Sequence, residues 1–315
     1  MKYSPLKELQ ISRIGLGAVQ FGIDYGINNS TGQVSYEGIL QILSFAHDKG
    51  VNFIDTSRYY GSSEENLGRA LKELNLVDAF TVCTKLDLPK NYVELPEKAL
   101  LQTASDCLEK SSEMLGLETL PVYLLHTYDY KKHLDGILWD FLVEKKQNGA
   151  IGHLGVSIAN GPQEALESLE DPDVDVIQIP YNLFDHRWHK EGILEKAVEK
   201  GVAVFNRSTY LQGLLVMGKE KAAEKLPSAV PYLERLKGFV DKKGLSKKEL
   251  IASYVFSEPS ITSTVVGVDS LKQLKENIIL YGSGLIEEDT RRSLESMFSD
   301  VPDSIVNPSL WDNKK

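Results

Sequence analysis

The most constraining feature of the chain is its rhythm. Short apolar runs rich in β-branched residues alternate with longer segments whose apolar positions recur at helical spacing, and the alternation continues into the C-terminal region. Strands are predicted at 11–16, 51–55, 80–85, 121–126, 151–157, 174–180, 202–206 and 264–267. Helices are predicted at 35–49, 63–74, 95–115, 134–148, 163–169, 190–200, 231–243 with 247–257, and 270–281. Gly50, Gly149 and Gly201 stand just past three helix ends, where a left-handed residue costs least, and Ser246 with Glu249 reads as a capping box. Strand–helix alternation gives a parallel sheet with right-handed crossovers, and eight units favour closure over an open sheet. The expectation is an α/β fold, a (β/α)8 TIM barrel forming a single domain over residues 1–315. The segment 211–230 and a helix near 288–299 are additions to it.

Charge narrows the partners. The chain has 45 acidic against 35 basic residues among 315, a formal net charge of −10, and no basic stripe; Lys131, Lys132, Lys314 and Lys315 read as solvated faces and tails. A surface that tracks phosphates shows a basic excess, so nucleic acid is not an expected partner. Neither a signal-peptide core nor a run of about 18 apolar residues occurs, so a cytoplasmic protein without a membrane span is expected. The two cysteines, Cys83 and Cys107, lack metal-ligand spacing and read as packing residues.

In a barrel of this kind chemistry sits where the strands end. The second strand runs into FIDTSRYYG, which puts Asp55 at its end with Tyr59 and Tyr60 just beyond; the third ends in Lys85 and the fourth in His126. Taken singly, each has an ordinary structural reading: a helix-capping Asp, a rim Lys or His, a packing Tyr. Three successive strands delivering ionisable groups to one rim is instead how acid–base sites are assembled.

The residue types and spacing resemble the aldo-keto reductase family, whose Asp-Tyr-Lys-His tetrad occurs in this order. FIDTSRYYGSSEENLGRAL, TKL, LLHTYD and NGAIGHLGVS carry the resemblance, which runs almost the whole chain. It implies reduction of an aldehyde, ketone or sugar carbonyl, or the reverse oxidation, by hydride transfer. Tyr60 would be the general acid/base, Lys85 the cation that lowers its pKa, Asp55 the carboxylate that holds Lys85, and His126 the orienting ring; Tyr59 is a bystander.

The implied cofactor is a nicotinamide dinucleotide, with NADP(H) ahead of NAD(H) on family grounds. GLGAVQFG at 15–22 lacks the glycine spacing of a dinucleotide fingerprint and reads as a tight turn. The resemblance places the carboxamide against Ser157 and Gln178, with Ile158 where the family commonly has Asn. It places Arg207 where an aromatic ring usually stacks, and Ser208 at the pyrophosphate. VVGVDSLKQLKENI is similar to the adenosine-binding segment, giving Gly267, Gln273, Glu276 and Asn277; the first and second stand where NADP-selective relatives carry Lys and Arg. Segment 211–230 would be a loop that covers the cofactor. Phe21, Tyr25, Tyr128 and Trp188 are the candidate substrate-contacting residues, a wall suited to a small carbonyl compound or sugar. No metal is expected: His186 and His189 form a pair without a third ligand. The alternative to turnover is a reductase-like regulatory subunit that holds dinucleotide, which the intact Asp55, Tyr60 and Lys85 argue against. Oligomeric state is left open.

Overall fold

A computed structural model describes residues 1–25, 32–282 and 284–311; Lys314 and Lys315 of the tail lie outside the described residues. An antiparallel hairpin, β1 (Tyr3–Leu6) and β2 (Leu9–Ser12), precedes eight parallel strands that close on themselves. These are β3 (Ile14–Gly17), β4 (Phe53–Asp55), β5 (Thr81–Leu86), β6 (Leu120–Leu125), β7 (Ile151–Ser157), β8 (Val176–Pro180), β9 (Ala203–Arg207) and β10 (Ser263–Gly267), with β10 pairing β3. Surrounding helices complete an eight-stranded (β/α)8 barrel.

The strands are buried on both faces, as parallel strands between a filled interior and a helical layer must be. Inside, Phe53, Cys83, Val122, Leu124, Val176, Ala203 and Phe205 pack together, with Phe53 and Phe205 ring centroids 4.5 Å apart. Leu6 and Ile11 of the hairpin join this cluster, so β1–β2 stoppers the end of the barrel opposite the strand C-termini. Outside, the strands' other faces meet apolar stripes of the helices in one continuous core. Gly155 shows how tightly β7 and β8 approach: a Cβ there would lie 2.0 Å from the Val176 carbonyl oxygen.

Between the strands come α1 (Tyr36–Asp48), α2 (Ser63–Glu73), α3 (Glu97–Leu115), a short α4 (Asp129–Lys132), α5 (Ile137–Gln147), α6 (Pro162–Leu169), a short α7 (Arg187–Lys190), α8 (Ile193–Lys200), α9 (Lys219–Lys225), α10 (Val230–Lys243) and α11 (Lys247–Phe256). After β10 follow α12 (Leu271–Gly282), α13 (Glu288–Met297) and α14 (Asp303–Val306). The Ser246–Glu249 capping box is present, and Gly50, Gly149 and Gly201 all have positive φ. Among the described residues no helix is long and apolar enough to cross a membrane.

Three sequence expectations are revised. The single run 11–16 is two strands, because Arg13 leaves the pleat and its Nη2 donates to the Glu258 and Ile261 carbonyls at 2.6 and 3.3 Å. The helix expected from 134 starts at Ile137, since Leu134, Asp135 and Gly136 are all left-handed (φ 48°, 54° and 91°). Segment 211–230 is largely helical, with a 3-10 turn at Leu211–Val216 followed by α9.

Candidate active site

The C-terminal ends of the strands gather the predicted ionisable groups. Lys85 on β5 is 1% exposed, and its Nζ donates to Asp55 Oδ1 on β4 at 2.7 Å and to the Thr56 carbonyl at 2.8 Å. A buried ammonium must be paired and hydrogen-bonded to remain charged. Burial acts against the cation, but Asp55 foremost and then Tyr60 outweigh it and hold the Lys85 pKa above its ordinary value. Asp55 Oδ1 also accepts from Gln178 Nε2 of β8 at 2.8 Å, so the pair is tied across the barrel mouth.

Tyr60 stands over this pair, with Lys85 Nζ 5.4 Å from its ring centroid. His126, just beyond β6, meets Tyr60 edge-on at 6.0 Å between centroids, and Ser57 Oγ lies 3.3 Å from His126 Nδ1. Burial, then Lys85 and Arg207, push the His126 pKa down to about 3, so the ring is neutral at physiological pH. The phenol departs from the sequence expectation. Lys85 and Arg207 do pull the Tyr60 pKa down, but burial is the larger influence and, with Asp55, leaves it above the ordinary value. Tyr60 therefore rests as a protonated donor rather than a group poised near neutrality. Tyr59 is 61% exposed and meets the His126 ring edge-on at 5.7 Å between centroids.

Ser157 lies in register with Gln178, and both are buried. Among the described residues, Gln178 Oε1 is buried with no hydrogen-bond partner, a costly state unless something else supplies the donor. Arg207, at the end of β9, is half-buried; Nη2 donates to the Ile158 carbonyl at 3.0 Å. Ser208 follows in the left-handed region (φ 64°), a conformation that costs a non-glycine residue about 1–3 kcal/mol. Gly267 ends β10 exposed against the Gln20 side chain, Glu276 is exposed and Asn277 buried on α12. Gln273 is already committed: its Oε1 accepts from Asp269 N at 2.8 Å and fastens the start of α12.

Two of the four substrate candidates do not open onto the site. Phe21 is fully buried, and Trp188 is also, its indole N–H donating to the Pro180 carbonyl at 2.7 Å and to Asp185 Oδ2 at 3.1 Å; both serve as packing beneath the rim. Tyr128 is 5% exposed and gives its hydroxyl to Glu167 Oε2 at 2.6 Å. Tyr25 is 46% exposed and sits within electrostatic reach of Tyr60 and Arg207. His189 Nε2 faces Glu258 at 3.3 Å and Tyr181 Oη at 3.0 Å, while His186 Nδ1 faces Tyr254 Oη at 3.5 Å. The two histidines therefore serve different contacts.

Glu64 and Gly22 are positioning groups that the sequence pattern does not disclose. Arg58 Nη1 pairs with buried Glu64 Oε2 at 3.1 Å, and Glu64 Oε1 accepts from Thr84 Oγ1 at 2.6 Å, which pins the Tyr60 loop between α2 and β5. Glu64 looks like any first-turn acid, and nothing in its spacing announces that it points inward. Gly22 is the other: a Cβ there would lie 1.8 Å from the Tyr60 carbonyl oxygen, so the first loop must be bare where it meets the tyrosine loop.

A buried Asp–Lys pair beneath a tyrosine, edged by a neutral histidine at the strand ends of an eight-fold barrel, is an arrangement for giving a proton to an oxygen that gains charge. Residues 13–294 match the model of the aldo/keto reductase family, and the chain belongs to that family. It is 26% identical to an uncharacterized oxidoreductase, YqkF, of Bacillus subtilis over 92% of this chain and 93% of that one. It is 27% identical to an L-galactose dehydrogenase of Arabidopsis thaliana, over 86% and 84%. Among solved structures it is similar to the aldo-keto reductase AKR11C1 of Bacillus halodurans in its holo form, with TM-score 0.75, 19% identity and coverage of 94% and 96%. Family and relatives make it an oxidoreductase of the carbonyl reductase kind.

Proposed function

We propose that the protein reduces a small aldehyde, ketone or sugar carbonyl to the alcohol, or runs the reverse, using a nicotinamide dinucleotide, with Tyr60 as the proton donor. The observation that carries this reading is the buried Lys85–Asp55 bond of 2.7 Å beneath Tyr60.

A bound NAD(P)H would supply the hydride. The chain's own residues do the rest. Tyr60 gives its phenolic proton to the carbonyl oxygen as charge develops there, and Lys85 stabilises the phenolate left behind. Asp55 keeps Lys85 charged and in place; Thr56 fixes the remaining geometry through its carbonyl. Neutral His126 offers a ring nitrogen to the substrate oxygen without competing for the proton. A carboxamide fits the Ser157–Gln178 pair: its N–H group matches the unpartnered Gln178 Oε1, and the serine hydroxyl can meet its oxygen. Ser208 and the α12 start, with Gly267, Glu276 and Asn277, would hold the phosphates and adenosine. NADP(H) is the first cofactor to test. The commitment of Gln273 to Asp269 N, with no arginine at that position, favours NAD(H) as the second reading.

Fluorescence titration with NADPH and NADH, followed by a panel of small carbonyls and sugars, tests the proposal. Saturable quenching and carbonyl-dependent oxidation of the reduced dinucleotide are expected. Binding without any carbonyl turnover would return the protein to a dinucleotide-holding subunit, and no binding would reject the reading.

A further inference from the structure

Strands β7, β8 and β9 run side by side, with Ser157 beside Gln178 and Pro180 beside Arg207. Arg207 stands at the end of β9, yet its Nη2 reaches the carbonyl of Ile158, just past the end of β7. To do so the guanidinium must cross the end of β8, and it therefore roofs the Ser157–Gln178 pair. Its side-chain bonds go to that carbonyl and, at 3.5 Å, to Ser208 Oγ, neither of which carries charge.

The charge around it is one-sided. Asp55 is the carboxylate that Arg207 feels, and Asp55 is already engaged by Lys85 and Gln178. Tyr60 is protonated and His126 neutral at physiological pH. Lys85 and Arg207 against Asp55 leave this group of three with one surplus positive charge, carried by the guanidinium beside the Ser157–Gln178 pair.

Nicotinamide changes charge with redox state: the oxidised ring is a cation, and the reduced ring, with one more hydride, is neutral. We propose that Arg207 makes the site discriminate between the two, holding the reduced dinucleotide more tightly than the oxidised one by like-charge repulsion of the oxidised ring. The inference rests on the dinucleotide reading above. The phosphates and adenosine are the same in both forms, so the difference isolates the ring. A half-buried charge is screened only in part, which keeps the effect substantial in physiological salt. The consequence is directional: reduced dinucleotide loads, and the oxidised product is expelled.

Calorimetric titration of the wild-type protein with NADPH, NADP⁺, NADH and NAD⁺ reads the effect directly. The reduced form should bind about tenfold more tightly than its oxidised partner, a difference of about 1.4 kcal/mol. Arg207→Gln should bring that ratio to within about threefold of unity, while Arg207→Lys, which keeps the charge, should retain most of it. If Arg207→Gln does not fold, the wild-type ratio measured from low to about 1 M salt serves instead, and it should shrink as the charge is screened. Equal wild-type affinities, a ratio unchanged in Arg207→Gln, or a ratio indifferent to salt would each overturn the inference and leave the dinucleotide reading standing. Failure of the wild type to bind any of the four would overturn both.

Discussion

Along the rim, the sector built from β4, β5 and β6 closes its polar groups on one another, whereas the sector from β7, β8 and β9 leaves capacity unused. In the first, Lys85 has two acceptors, Asp55 two donors, and His126 a hydroxyl neighbour. In the second, Gln178 Oε1 is buried without a donor, Arg207 leans on a backbone carbonyl, and Ser208 is held left-handed. Under the proposed function the difference corresponds to two tasks. A proton-handling unit gains from being preorganised before anything binds, so its hydrogen bonds are already made. A ligand-holding surface must keep donors and acceptors unspent, and leaves partnerless atoms as its trace.

Breaking the closed sector should have the largest effect. Lys85→Met leaves the buried Asp55 carboxylate without its ammonium partner. Removing one partner of a buried pair typically costs about 3–5 kcal/mol, so both a large fall in unfolding free energy and loss of turnover are expected. Denaturant unfolding with unchanged stability would show that the pair contributes nothing to the fold.

Gln178→Leu touches the junction of the two sectors. It removes a bond to the Asp55 carboxylate, worth about 1.5–3 kcal/mol, and the unpartnered oxygen with it. Dinucleotide affinity should fall about tenfold, with stability changed less than in Lys85→Met. Unchanged affinity in titration would remove Gln178 from the proposed carboxamide cradle.

The effect of pH is small near neutrality and grows with acid. The folded His126 pKa of about 3 lies below the unfolded value of about 6.5, so the unfolded state binds a proton that the folded state refuses. Stability should fall as pH drops from about 6.5 towards 3, and His126→Asn should flatten part of that slope in thermal melts. An undiminished slope would assign the acid sensitivity to other groups, such as His186, lowered to about 4 by burial first and by His189 next.

The same contrast describes what the sequence discloses. Asp55, Lys85 and His126 were legible as a cluster because each stands where an apolar strand run stops, and strand ends in an alternating chain converge on one rim; Tyr60, five residues past its strand, was singled out by the resemblance of FIDTSRYYG. Barrel closure was legible from eight repeats of one period. The N-terminal hairpin was not: β2 and β3 are separated by Arg13 alone, so the stretch reads as one strand until the pairing of β2 with β1 and the long-range bonds of Arg13 set them apart. Glu64 and Thr84 were hidden because their meaning lies in contacts between α2 and β5. Phe21 and Trp188 misled for a related reason: an aromatic near a strand end serves a pocket or the layer beneath it with the same local pattern, and burial decides. The Tyr60 pKa went the other way from its nearest charge because desolvation, which no linear motif encodes, was the stronger influence.

The central claim is that Tyr60 delivers the proton while other groups hold the dinucleotide. Tyr60→Phe keeps the ring and removes the hydroxyl, so carbonyl reduction followed by loss of NAD(P)H absorbance, alongside a titration of the same reduced dinucleotide, separates the two roles. The account predicts turnover lower by about two to four orders of magnitude with a dissociation constant within about twofold of wild type. Turnover close to wild type in Tyr60→Phe would contradict it.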